Sequence, residues 1–364
     1  VASGYLGDVV VVSAVYTRHR GWDLAVRIQR HYSSSLTSPR LLPAGPSRPS
    51  ALAAGMDYRG DVIVAWAAGG DIYAREIAQS GAAEPVRELS SGAADWRDIE
   101  LDALVSDDGH AIVAWTDRRA APGGGAWTSI ELSISGPGAL VRPASAVEQF
   151  RGPRGATPPP APSLRLIRLS SEAVVMAWTG VSAGRYAVRA SPVSLRRGAW
   201  APVTISRPGE DALLADLVPG PNAEALAVWT VARRLPSGAP DQRRRAIYAA
   251  RGHYAGHGEV AFEAPEALAP PGPNGQPAAA FDPRSGRAVA AWVTLAGRPG
   301  IAYARRAAGP AMRTAASSTR IVEPAGIAVA VLVLGALAAA ATAAGALGPL
   351  LRRTARHTGA PRPR

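Results

Sequence analysis

The chain of 364 residues contains no cysteine and no lysine, and only two asparagines, Asn222 and Asn274. Without cysteine there is no disulfide framework, no thiolate metal site and no thiol nucleophile. That absence suits either side of a membrane and names no compartment. All 40 basic residues are arginine, set against 28 acidic ones, for a formal net charge of +12. Alanine, glycine and proline are abundant as well, so the bias is that of GC-rich codons before it is one of function. A nucleic-acid surface usually mixes lysine with arginine along one element. The signatures of RNA-binding modules are missing, and we read no nucleic-acid partner.

Catalytic motifs are also scarce. The six histidines, at 19, 31, 110, 253, 257 and 357, show no metal-ligand spacing. His253 and His257 are four apart but lie in RGHYAGHGE, where glycine argues for a loop, and there is no HExxH. No GxSxG elbow and no P-loop occur. The stretch DWRDIELD (95–102) alternates Asp95, Asp98, Glu100 and Asp102. A calcium site would need several oxygens converging from one loop, and acids alternating along a solvated strand edge are the commoner case. No catalytic residue, cofactor or metal is assigned.

Charge is absent from Pro324 to Leu351, a run of 28 residues centred on GIAVAVLVLGALAAAATAAGALG. At about 1.5 Å per residue a helix of that length exceeds a hydrocarbon core of roughly 30 Å. Tilt or a shorter true span reconciles the two. Arg352, Arg353, Arg356, Arg362 and Arg364 follow at once. By the positive-inside tendency the tail 352–364 is cytoplasmic and the preceding chain lies outside. The expectation is a single-pass cell-membrane protein with a C-terminal transmembrane α-helix over 324–351.

What the chain has in plenty is one hairpin. GDVIVAWAA (60–68) is echoed by GHAIVAWTD (109–117), EAVVMAWTG (172–180), AEALAVWTV (223–231) and GRAVAAWVT (286–294). A sixth copy, GDVVVVSAV (7–15), has Ser13 in the tryptophan position. Trp66, Trp115, Trp178, Trp229 and Trp292 stand 49, 63, 51 and 63 residues apart. A period near 50 residues marks an array of supersecondary units. Each unit reads as four strands, with a Gly/Asp turn such as DYRG (57–60) between the first two. The VIVAW strand is apolar at successive positions, so both its faces are covered. Sheets packed face to face in a ring meet that demand, which is the β-propeller solution. The repeated tryptophans are then structural packing residues.

The expected fold is all-β, a propeller over 1–310 of six four-stranded blades, or seven with one more upstream. The blades centre near 7–42, 49–90, 99–145, 163–206, 213–268 and 277–320, and 311–323 is a last strand or a juxtamembrane linker. Every later copy has a Pro-led strand about ten residues before its turn, and Val1 falls almost at the second strand. We therefore expect a truncated N-terminus and a lost signal peptide. The units resemble the repeats of bacterial cell-surface β-propellers of the sialidase-like, BNR-type superfamily, over roughly residues 5–310. The Asp-box is missing: Gly60, Gly109 and Gly286 each precede their tryptophan by six residues. The resemblance implies the fold and does not license the activity.

Lettering the strands A to D, the B–C and D–A connections share one face. The long ones fall there: DRRAAPGGGA (117–126) and ARRLPSGAPDQRRR (232–245) between B and C, RGPRGATPPPAPS (151–163) between D and A. Candidate ligand-face residues are Asp95, Trp96, Asp98, Arg118, Arg119, Arg233, Arg234, Arg243, Arg244 and Arg245. Arginines on rigidly held loops suit carboxylates or phosphates, so an anionic glycan or an acidic protein is the expected partner. The expected role is a noncatalytic binding or scaffolding module. The alternatives are a glycan hydrolase or lyase, and a sensor-type subunit with a membrane partner. Non-repeating Arg, Tyr and acidic side chains converging in the ring's central funnel would favour an enzyme, and a funnel lined by repeat-equivalent small residues a scaffold.

Overall fold

The computed structural model describes residues 2–3, 8–90, 99–120, 126–136, 145–152, 164–170, 173–235, 240–256, 259–282, 286–294, 300–306 and 312–315. These residues form six antiparallel sheets that follow one another along the chain. The first holds β1 (Ala2–Ser3), β2 (Val9–Thr17), β3 (Gly21–Gln29) and β4 (Arg40–Gly45). The second holds β5 (Ala51–Met56), β6 (Val62–Ala68), β7 (Asp71–Ile77) and β8 (Arg87–Ser90). The third holds β9 (Leu101–Val105), β10 (Ala111–Ala120), β11 (Ala126–Ser135) and β12 (Ser145–Arg151). The fourth holds β13 (Leu164–Arg168), β14 (Val174–Ser182), β15 (Arg185–Ser194), β16 (Gly198–Ala199) and β17 (Val203–Thr204). The fifth holds β18 (Asp211–Pro219), β19 (Glu224–Arg234), β20 (Pro240–Gly256), β21 (Glu259–Phe262) and β22 (Glu266–Gly272). The sixth holds β23 (Ala278–Phe281), β24 (Ala288–Thr294), β25 (Gly300–Arg306) and β26 (Met312–Ala315). In the fourth and fifth sheets the outer strand is broken in two, both pieces pairing with the same neighbour. No α-helix occurs among the described residues, and 324–351 lies outside them.

The continuous apolar second strand now has its reason. In β6, Val62, Val64 and Trp66 face the first sheet, while Ile63, Ala65 and Ala67 face the third. Five hydrophobic clusters fill the five junctions between consecutive sheets. Each junction contains one repeated tryptophan, wedged against the preceding sheet and no more than 2% exposed. Truncating such a side chain to alanine costs about 3–5 kcal/mol. The indole N–H of Trp66 donates to the Ala44 carbonyl at 3.3 Å and that of Trp178 to Glu148 Oε2 at 2.6 Å. Both acceptors lie on the outer strand of the preceding sheet. Ser13 holds the same place in β2 of the first described sheet, and it is exposed. Among the described residues no cluster joins the sixth sheet to the first.

The inner strands stand side by side and run the same way. Leu164 N donates to Glu100 Oε2 and Leu166 N to Asp102 Oδ2, so β13 keeps one constant register with β9. Gly55 lets β5 approach this closely: a Cβ there would lie 2.5 Å from Leu104 Cα and 2.7 Å from the Ala103 carbonyl oxygen. The result is an all-β, propeller-like stack of sheets. Two expectations change. The first sheet does have a strand before its turn, the two-residue β1, paired to β2 through Ala2–Val10 and Ser3–Val9. The long connections after β10 and β19 are in large part hairpin. Arg118 pairs with Thr128, Arg119 with Trp127, and Arg234 with Pro240, because the ladder hydrogen bonds continue past the repeat.

Candidate functional site

Two arrangements carry chemistry, one on the inner strands and one on the hairpin face. On the inner strands, Asp102, Arg165 and Asp216 occupy corresponding positions one step past the residue paired to the tryptophan, Asp216 being displaced by a bulge. The second and sixth sheets have Ala53 and Ala278 there. The cluster is therefore not part of the repeat. Asp102 accepts from Leu166 N at 2.7 Å and from Ala103 N at 2.9 Å. Asp216 accepts from Ala279 N and Leu217 N, both at 3.0 Å. Arg165 Nε lies 3.7 Å from Asp216 Oδ1, and its Nη1 donates to the Leu164 carbonyl. Burial pushes both carboxyls above the ordinary aspartate range, against the opposing pull of Arg165 and the backbone N–H groups.

Those hydrogen bonds explain the residues. The free edge of each inner strand has N–H groups with no ladder partner, and leaving them buried and unpaired is costly. Glu100, Asp102 and Asp216 each reach across to the next sheet and satisfy one. The expectation of acids on a solvated edge is corrected on this point: Glu100 and Asp102 are half-buried and bridge two sheets. The alternation that put them on one side of the strand was legible; the edge of another sheet as their donor partner was not. Among the described residues no three His, Cys, Asp or Glu side chains gather as metal ligands would.

The hairpin face is built from the extensions of β2–β3, β10–β11 and β19–β20. Arg233, Arg243 and Arg244 are exposed, and their guanidinium groups make no ion pair among the described residues. Arg234 is committed elsewhere. Its Nε and Nη2 clamp Asp211 at 2.6 and 2.9 Å, and Arg185 adds a third contact at 3.1 Å. Asp211, with its side chain fully covered, also accepts from Tyr186 N at 3.1 Å. Burial raises the Tyr186 phenol, and the charge of nearby Arg118 opposes it. Arg118 is half-buried in the β10 ladder. Arg245 is half-buried too, its guanidinium lowered by burial. Arg119 is placed by its backbone alone, opposite Trp127. Asp95, Trp96 and Asp98 lie outside the described residues.

Sequence reasoning missed Tyr16, Trp22 and Trp127 on this face. Tyr16 and Trp22 pair across the tip of the β2–β3 hairpin, ring centroids 5.4 Å apart in an edge-on contact. The guanidinium of Arg48 lies 5.6 Å from the Trp22 ring centre. In the second sheet Gly69–Gly70 makes the turn at this level, so the pair sits on an extension beyond the repeat. Trp127 occupies a similar extension and is 46% exposed. The available signal was that Trp22 and Trp127 fall outside the 50-residue spacing.

No protein-family model matches the chain, and no curated protein sequence matches it. Among solved structures, a Penicillium chrysogenum α-L-arabinanase complexed with arabinobiose is similar at 10% identity, TM-score 0.45, over 72% of this chain and 78% of that one. An ulvan lyase, a polysaccharide lyase bound to a glucuronate–rhamnose-sulfate repeat, is similar at 11% identity and TM-score 0.48, over 71% and 69%. The BP39L lectin of Burkholderia pseudomallei is similar at 13% identity and TM-score 0.44, over 84% of each chain. Likenesses this distant transfer neither a ligand nor a reaction. The class defined by the chain's own strands is a propeller-like, all-β repeat protein.

Proposed function

We propose that the protein is a noncatalytic binding module that holds anionic glycans on its arginine-bearing hairpin face. The tandem sheets are the blades of one ring, and the segment 324–351 anchors it in the cell membrane with the sheets outside. The observation that carries the reading is a contrast in pairing. Exposed Arg233, Arg243 and Arg244 make no ion pair among the described residues, whereas all four oxygens of Asp102 and Asp216 accept backbone N–H bonds. Guanidinium groups free of partners hold carboxylates and sulfates bidentately. The last described strand, β26, runs toward this same face, and eight residues separate its end from the uncharged segment that begins at Pro324. A tether leaving there turns the arginines toward the cell's own surface and the anionic polymers anchored in it.

A hydrolase or lyase acting on such glycans is the second reading. It is favoured by the charged trio Asp102, Arg165 and Asp216, which differs from sheet to sheet and carries raised carboxyls. Calorimetric titration with oligogalacturonate tests the first reading. Relative to the wild type, R233E/R243E/R244E is expected to bind at least about tenfold more weakly, and wild-type affinity to fall with added salt. Equal affinity in the two proteins would overturn the assignment.

A further inference from the structure

The β2–β3 hairpin carries an aromatic pair that stands outside the repeat. Repeat tryptophans are wedged between sheets; Trp22 stands beyond the turn level of its neighbour, and Tyr16 across from it is 60% exposed. Trp22 is half-buried and packs against the cluster between the first and second sheets, while Tyr16 leaves its apolar ring in water. Among the described residues the Tyr16 hydroxyl makes no hydrogen bond. Around the pair lie Arg18, Arg20 and Arg48, all exposed and without an ion pair among the described residues. The acid on this hairpin, Asp23, is buried, accepts from the Thr17 hydroxyl at 3.2 Å and makes no ion pair with them among the described residues.

We propose that Tyr16 and Trp22, with Arg48 beside them, form a stacking subsite for one acidic sugar unit, a uronate, of the bound glycan. The proposal rests on the glycan reading and names the unit recognised and where it sits. A pyranose ring presents a face of C–H groups that packs on an aromatic ring, while its carboxylate projects from the edge. Arg48 holds its guanidinium against Trp22 and is preorganised to meet that carboxylate. The aromatic rings lose little conformational freedom on binding, because the hairpin and the edge-on contact already fix them.

Titration with trigalacturonate, and with its methyl ester, tests the subsite in wild type, Y16A, R48Q and R233E/R243E/R244E. Y16A is expected to keep the wild-type melting temperature, since the side chain is exposed, and to lose about tenfold in affinity for both ligands. R48Q is expected to lose affinity for the acid and to leave the ester unaffected. If Y16A and R48Q bind as the wild type does while the triple arginine variant fails, the subsite is wrong and the glycan reading stands. If none of the proteins binds either sugar, the glycan reading itself fails. Vesicles rich in anionic lipid and poly-glutamate serve as competitors. Displacement of the sugar by either, with the same affinity in Y16A and wild type, would overturn the subsite in favour of plain charge attraction.

Discussion

Asp8 stands just before the second strand of the first sheet, with its side chain almost covered. It accepts from Arg30 Nη1 at 2.8 Å and from His31 N at 2.6 Å. Burial alone would raise its carboxyl, but the bonds from Arg30 and His31 outweigh it and hold the group below the ordinary aspartate value. A depressed carboxyl binds its proton less readily in the folded than in the unfolded chain. Its stabilisation is present above an unfolded value near 3.8 and is lost as pH falls through the lower, folded one. Asp8→Asn removes this component. Urea midpoints between about pH 5 and about pH 2 should fall less steeply in the variant than in the wild type. Parallel curves would show that Asp8 contributes nothing. Asp102 and Asp216 have the opposite sign. Their raised carboxyls favour the folded state as pH falls toward the unfolded value, and charge burial costs stability at neutral pH.

Among the elements, the inner strands impose the tightest tolerance. β5 and β9 approach so closely at Gly55 that an added methyl group would meet the backbone of Leu104, which has no side-chain freedom to yield. Gly55→Ala is expected to destabilise by about 1–3 kcal/mol through overpacking. Gly184→Ala is the control, its positive φ costing on the order of 1 kcal/mol with nothing within 4 Å to clash. Equal losses in denaturant titrations would mean that the two strands do not touch. The second strands were legible in the sequence because covering both faces of one strand leaves an unmistakable apolar run. The hairpin extensions were not, because Arg118, Arg234 and their neighbours read as loop by polarity while their backbones continue the ladder. Polarity on a strand rising into solvent and polarity on a loop look alike in a sequence.

Across the whole molecule, repetition separates what packs from what acts. Residues recurring once per unit, above all the five buried tryptophans, were readable from spacing alone and lie in the junctions. Residues that break the repeat divide again. Asp102, Arg165 and Asp216 lace one sheet to the next, while Tyr16, Trp22, Arg233, Arg243 and Arg244 stand out on one face. That second division depends on contacts between units far apart in sequence, such as Asp216 with Ala279, which no local pattern announces. On the hairpin face Arg233, Arg243 and Arg244 are exposed and make no ion pair among the described residues, and the proposed role is to hold polymers rather than to cut them. The direct measurement is polymer length, followed by light scattering while the protein is incubated with polygalacturonate and with a sulfated polysaccharide. The account predicts association with no loss of chain mass over hours. A steady fall in chain mass that Asp216→Asn abolishes, in a variant that still folds, would contradict it.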